Sequence, residues 1–259
     1  MTESISELRN ICQDTRETDY FKMNWVPRHI TRRVSIYFTK LCLKIGISAN
    51  QASIIGLILV ITGGAFFTFS DPRYWFIGAL LCYGFRVFDC VDGEIARYNK
   101  SASIGGRHLD GSIGLFTEPY MLACMTFGIY NSLYNITAFM FGFLAVIATA
   151  FSASSALQLL VVAHREGLFP DRVDIPKKEP IIIQWGRIAF RVLIAIPGVQ
   201  FIPQIFVAAL IDCFISPFII LSLTFNARLI YLMVIGPVTL AIVVARIYYN
   251  VISYGKIKC

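Results

Sequence analysis

The chain has 259 residues, of which 15% are charged and 56% hydrophobic, and its mean hydropathy is +0.65. Soluble domains carry about 25% charged residues, so this composition excludes a fully wetted globular surface, and the net charge of +7 must sit in a few loops. The seven cysteines (12, 42, 82, 90, 124, 213 and 259) lie mostly in apolar runs without CxxC spacing; they read as free small hydrophobes and not as disulfide or zinc ligands.

The first 20 residues are polar and lack an apolar core, so they do not read as a secretory leader. Residues 27–45 place Ile30, Val34, Phe38, Leu41 and Ile45 at helical spacing beside Arg32, Arg33, Lys40 and Lys44. That pattern predicts a helix lying in the membrane interface, begun by Pro27. A soluble basic helix on nucleic acid is the competing reading, and the apolar run that follows at once argues against it. Apolar runs of membrane length then cover 52–70, 74–97, 112–131 and 135–162. Residues 188–223 are too long for one simple span and carry Pro197 and Pro203, which predicts an interfacial helix near 187–196 and a fifth span near 202–223. A sixth covers 227–251. The runs are continuous and do not alternate, so the expected fold is all-α: six transmembrane helices (51–259) behind a cytosolic N-terminal segment (1–50). Lysine and arginine cluster in the first 50 residues, at 97–107, at 165–191 and in the tail, whereas the opposite loops hold only Arg73 and Arg228. This alternation puts both termini on the cytosolic side of the membrane. The 165–191 basic segment reads as a membrane-surface anchor ahead of a substrate clamp.

Chemistry concentrates at 86–118, RVFDCVDGEIARYNKSASIGGRHLDGSIGLFTE. Asp89 and Asp92 are three apart and share a helix face, which Gly93, Ala96 and Arg97 continue. Gly106 and Asp110 are four apart on the next helix. Three carboxylates at a helix junction in a membrane segment are costly and point to function. They repel one another unless cations lie between them, and hard oxygen ligands suit magnesium, manganese or calcium. The small residues leave room for a bulky ligand, and Arg97 is suited to phosphate. Together these features suggest a nucleoside diphosphate. An ion-transport site would also use three carboxylates. Arg97 could merely snorkel, and Arg86 could merely neutralise Asp89.

The series Asp89-x2-Asp92-Gly93-x2-Ala96-Arg97-x8-Gly106-x3-Asp110 resembles the signature of the CDP-alcohol phosphotransferases, as do the six-helix plan and the Ser48–Ser53 run (SANQAS) that opens the first span. The resemblance implies transfer of a substituted phosphate from a CDP-alcohol donor to a lipid or other alcohol acceptor, with release of CMP. It implies Mg2+ or Mn2+ on Asp89, Asp92 and Asp110, nucleotide contacts at Asn50, Gly93, Ala96, Arg97 and Gly106, and a homodimer in the membrane. No nucleic-acid partner is expected. One position departs from the pattern: where the family has a fourth aspartate, implied as the base for the acceptor hydroxyl, this chain has Gly114. Glu118 lies one turn beyond on nearly the same face, about 6 Å further along the helix, and is the expected substitute beside Asp110. As residue 118 precedes Pro119, a purely structural role at a kink competes with this, and Gly114 could equally serve close helix packing. His108 precedes Asp110 by two and points elsewhere. An inactive family member that binds nucleotide or metal as a partner or regulatory subunit is the alternative to an enzyme.

Overall fold

Ser4 opens the first helix by a reciprocal capping box: its hydroxyl accepts from the Glu7 N–H while the Glu7 carboxylate accepts from the Ser4 N–H. This helix, α1, spans Ile5–Cys12 in a computed structural model that describes residues 3–13, 30–165, 201–215, 218–220 and 223–254. Helix α2 (Arg32–Ile45) ends at Gly46, whose φ of 79° closes the last turn in the left-handed region. Ser48 and Gln51 form a second capping box at the start of α3 (Ala49–Phe67). Asp71 caps α4 (Pro72–Tyr98), with Pro72 at the first helical position, where its missing N–H costs nothing. Ser103 accepts from the Gly106 N–H and starts α5 (Ile104–Leu133), which carries Pro119 inside it; α6 is Ile136–Arg165.

Helices α3 and α4 run against each other along their length, and α5 lies across α3. Small residues set the approach: a Cβ on Gly63 would stand 2.8 Å from the Gly78 carbonyl oxygen, and one on Gly78 would stand 2.7 Å from the Gly63 carbonyl oxygen. The core they enclose includes Val60, Phe67, Trp75, Cys82, Met125 and Ile129. Helices α7 (Phe201–Phe214) and α8 (Ala227–Tyr254) complete the bundle, α7 against α4 and α8 against α6.

The expected 202–223 span is not one continuous helix. Helix α7 stops at Phe214, and β1 (Phe218–Ile220) pairs antiparallel with β2 (Leu223–Phe225) as a short hairpin. The sequence between α7 and β1 carries Pro217, a residue type that interrupts helices. The rest of the described chain is helical, as expected. Among the described residues, two helices, α3 and α4, are long and apolar enough to cross a membrane; Ile136–Phe151 and Ala227–Ala241 are shorter apolar stretches. The interfacial helix expected near 187–196 lies outside the described residues, as does Pro27.

Helix α2 turns its polar side inward. Thr31, Ser35 and Thr39 are buried, while Tyr37, Phe38, Leu41 and Ile45 are exposed. At the far end of the bundle, beside the α3–α4 turn, Arg228 and Asp212 form a buried ion pair (2.5 Å). The Arg228 guanidinium also donates to the Ser70 carbonyl (3.1 Å) and lies over the Trp75 ring.

Candidate functional site

The first turns of α3, the last turns of α4 and the first turns of α5 meet at one end of the bundle and enclose a small open cleft of about 110 Å³. Asn50 and Ser53 come from α3, Asp92, Gly93 and Ala96 from α4, and Gly106, Arg107 and Asp110 from α5. Six positions expected from the sequence (Asn50, Asp92, Gly93, Ala96, Gly106 and Asp110) therefore line one surface, although Asn50 is 42 to 60 residues from the others in sequence. Gly106 is small for a visible reason: a Cβ there would press on Asn50 Oδ1 and Ser103 Oγ, each 3.2 Å away.

The carboxylates divide into two arrangements. Asp92 is buried and accepts a 2.5 Å hydrogen bond from Ser53 Oγ. Asp89 on α4 and Asp110 on α5 lie close enough across the helix junction for their charges to act on each other. The Arg86 guanidinium stands 3.8 Å from Asp89 Oδ2, and its charge also acts on Asp110 and Glu118. Arg86 thus reaches further than a single neutralising pair. Among the described residues, no three His, Cys, Asp or Glu side chains stand together as a ready metal cage. The Ser53 hydroxyl on Asp92 and the Arg86 guanidinium beside Asp89 offset part of the repulsion among the three carboxylates.

Arg97 and Glu118 do not line the cleft. Arg97 folds back over Gly93, where an added Cβ would meet its Nη1 at 3.2 Å. Its Nε donates to the Cys12 carbonyl at 2.6 Å. Glu118 is half-buried, within reach of the charge of Arg86 and close to Tyr231 on α8. Among the described residues, nothing lies within 4 Å of a Cβ added at Gly114.

Three residues carry more than their sequence suggests. Ser53 belongs to the run that opens the first span, yet its bond to Asp92 depends on the α3–α4 register. Arg107 reads as one more basic loop residue but lines the cleft. Glu94 is 1% exposed and accepts from Gln13 Nε2 (2.7 Å), Ser35 Oγ (2.7 Å) and Thr39 Oγ1 (2.6 Å). A glutamate flanked by motif positions gives no sign by itself of which helices it will bind. The same packing buries Cys12, and desolvation, reinforced by the Glu94 charge against the opposing charge of Arg97, pushes its thiol up to about 11.

The sequence profile of the CDP-alcohol phosphatidyltransferase family matches residues 47–215, the stretch that contains every cleft-lining residue. The chain belongs to that family. Its members are membrane proteins that transfer a phosphoalcohol from a CDP-alcohol to an acceptor. No curated protein matches the sequence.

Proposed function

We propose that the chain is a metal-dependent membrane transferase that moves a substituted phosphate from a CDP-linked donor to a lipid or polyprenol hydroxyl, releasing CMP. The observation that carries this reading is the convergence of Asn50, Asp92, Gly93, Ala96, Gly106 and Asp110 on one cleft within a chain of this family. In the proposed topology six helices cross the bilayer and the cleft opens to the cytosol. The outward apolar residues Ile58, Leu80, Met140 and Val244, on four different helices, support burial in lipid. The family resemblance also suggests a homodimer.

The residue types present suit a divalent cation: Asp92 and Asp110 line the cleft, and Asp89, outside that lining, lies one turn before Asp92 on α4, close enough for its charge to act on both. These three would hold Mg2+ or Mn2+, which would neutralise the pyrophosphate and the departing CMP. Gly93 and Gly106 leave room for the Arg97 guanidinium and for Asn50 and Ser103 beside the cleft, where a side chain at either position would press on them. The acceptor oxygen attacks the phosphorus that carries the donor's alcohol; the bond from that phosphorus to the bridging oxygen breaks, and CMP takes the bond pair. The acceptor's proton passes to a carboxylate. Asp110 stands in the cleft, and the open space at Gly114 lies between it and Glu118. We assign Glu118 as the proton acceptor for a hydroxyl that enters through that space from the lipid side.

Calorimetry tests the donor assignment. CDP and CMP should bind with magnesium far better than uridine or adenosine nucleotides, and Ala96→Leu should abolish binding by filling the cleft. Equal affinity for all three bases would refute it. Gly114 favours a second reading, in which the chain binds nucleotide without turnover. In that case the wild type would release no CMP from any donor, and Gly114→Asp alone would confer release.

A further inference from the structure

Arg97 does not itself line the cleft but lies over Gly93, which does, and its placement is set from outside the 47–215 family region. Its Nε is engaged by the Cys12 carbonyl, at the last residue of α1. That leaves Nη1 and Nη2 over Gly93, one of the residues lining the cleft. The end of α1 is itself fixed by a dense set of bonds. Gln13 Nε2 donates both to Glu94 Oε1 (2.7 Å) and to the Arg32 carbonyl (2.8 Å), while Arg32 Nη2 donates to the Gln13 carbonyl (2.8 Å). Tyr98 donates to Glu3 (2.8 Å) near the other end of α1. Leu8 and Cys12 are buried against Ile36. An eight-residue helix does not hold itself in water, so its order comes from this docking.

We infer that α1 and Gln13 form a strap that positions Arg97 for the donor's phosphates, with Glu94 as the buried anchor that fixes the strap to the helix bearing the site. Gln13 and Glu94 are positioning residues and touch no substrate. The physical argument is one of freedom removed. A lone arginine at the exposed end of a helix samples many rotamers, and a carbonyl on Nε restricts it to those that project the two terminal nitrogens toward Gly93. Each phosphate contact then loses less entropy on forming. Coupling of this kind is reciprocal, so a bound diphosphate must in turn hold the strap down.

The inference rests on the cleft being a CDP site, and the tests separate the two. The full chain, in lipid nanodiscs with magnesium, is titrated with CDP and with cytidine. Gln13→Ala should weaken CDP by about tenfold, the loss expected of one hydrogen bond to a charged group, and leave cytidine unchanged. In an Arg97→Ala background it should cost nothing further, since the strap acts only through Arg97. Equal weakening of CDP and cytidine, or a full further loss in the Arg97→Ala background, would show a merely structural role and overturn the inference. A second measurement needs no variant. Cys12 is buried while the strap is docked, so its alkylation by a maleimide, followed by peptide mass spectrometry, reports undocking. MgCDP should slow that reaction several-fold. An unchanged rate in protein that binds MgCDP overturns the strap and leaves the donor site standing. Failure of the wild type to prefer CDP over UDP would instead sink the donor assignment, and the strap with it.

Discussion

Gly114 and Glu118 illustrate what a single position can and cannot reveal. The absence of a carboxylate at 114 is legible in the sequence, but the empty space there is not, since openness depends on which face of α5 the neighbouring helices cover. Among the described residues, nothing lies within 4 Å of a Cβ at 114, so Gly114→Asp introduces a carboxylate without a clash. It should hold or raise CMP release. Glu118→Gln should cut release at least about tenfold, a positioned base being worth typically about 10²–10⁴-fold, with CDP affinity unchanged. A silent Glu118→Gln in an active enzyme would shift the proton to metal activation of the acceptor. The motif residues were readable because i, i+3 and i+4 spacing within one helix fixes a face. The Ser53–Asp92 and Gln13–Glu94 bonds were not, because they join residues 39 and 81 apart through helix packing that spacing does not encode.

Among the helices, the apolar runs predicted α3 to α6 and α8 within about three residues at each end, except that α5 begins at Ile104 and not near 112; Ser48, Asp71 and Ser103 mark the starts of α3, α4 and α5 by side-chain caps. At 202–223 hydropathy stays high through Phe218–Ile220, and a window average does not register Pro217, a residue type that interrupts helices. Helix α2 shows a subtler limit. Its apolar stripe was legible, but the buried side is the one with Ser35 and Thr39, which serve Glu94. Close approach of α3 and α4 makes a stability prediction. Gly63→Ala places a Cβ 2.7 Å from Cys82 Sγ and 2.8 Å from the Gly78 carbonyl. It should destabilise the protein by about 1–3 kcal/mol, the cost of overpacking. Gly111→Ala, with nothing within 4 Å, should instead stabilise α5 by roughly 0.5–1 kcal/mol through its higher helix propensity. Thermal unfolding of the two variants in one detergent checks the contrast; equal effects would show that the α3–α4 approach is looser than described.

Across the whole molecule, the two ends of the bundle do different work. Helix α4 is 27 residues long, about 40 Å at 1.5 Å per residue, and separates the cleft from the Arg228–Asp212–Ser70 knot. The knot ties α7 and α8 to the α3–α4 turn with a buried ion pair. The cleft end gathers the acidic residues, Arg107 and the strapped Arg97. In the proposed topology that end faces the cytosol, where a soluble CDP-linked donor reaches it, while an acceptor lipid approaches laterally. The central claim is turnover at this cleft. Its most direct test is CMP release by the purified full-length protein in nanodiscs, given magnesium, a panel of CDP-alcohols and membrane lipids. Magnesium-dependent release with at least one donor, lost in excess chelator and in Asp92→Asn, is the predicted result. No release from any donor, or full release in excess chelator, would contradict it.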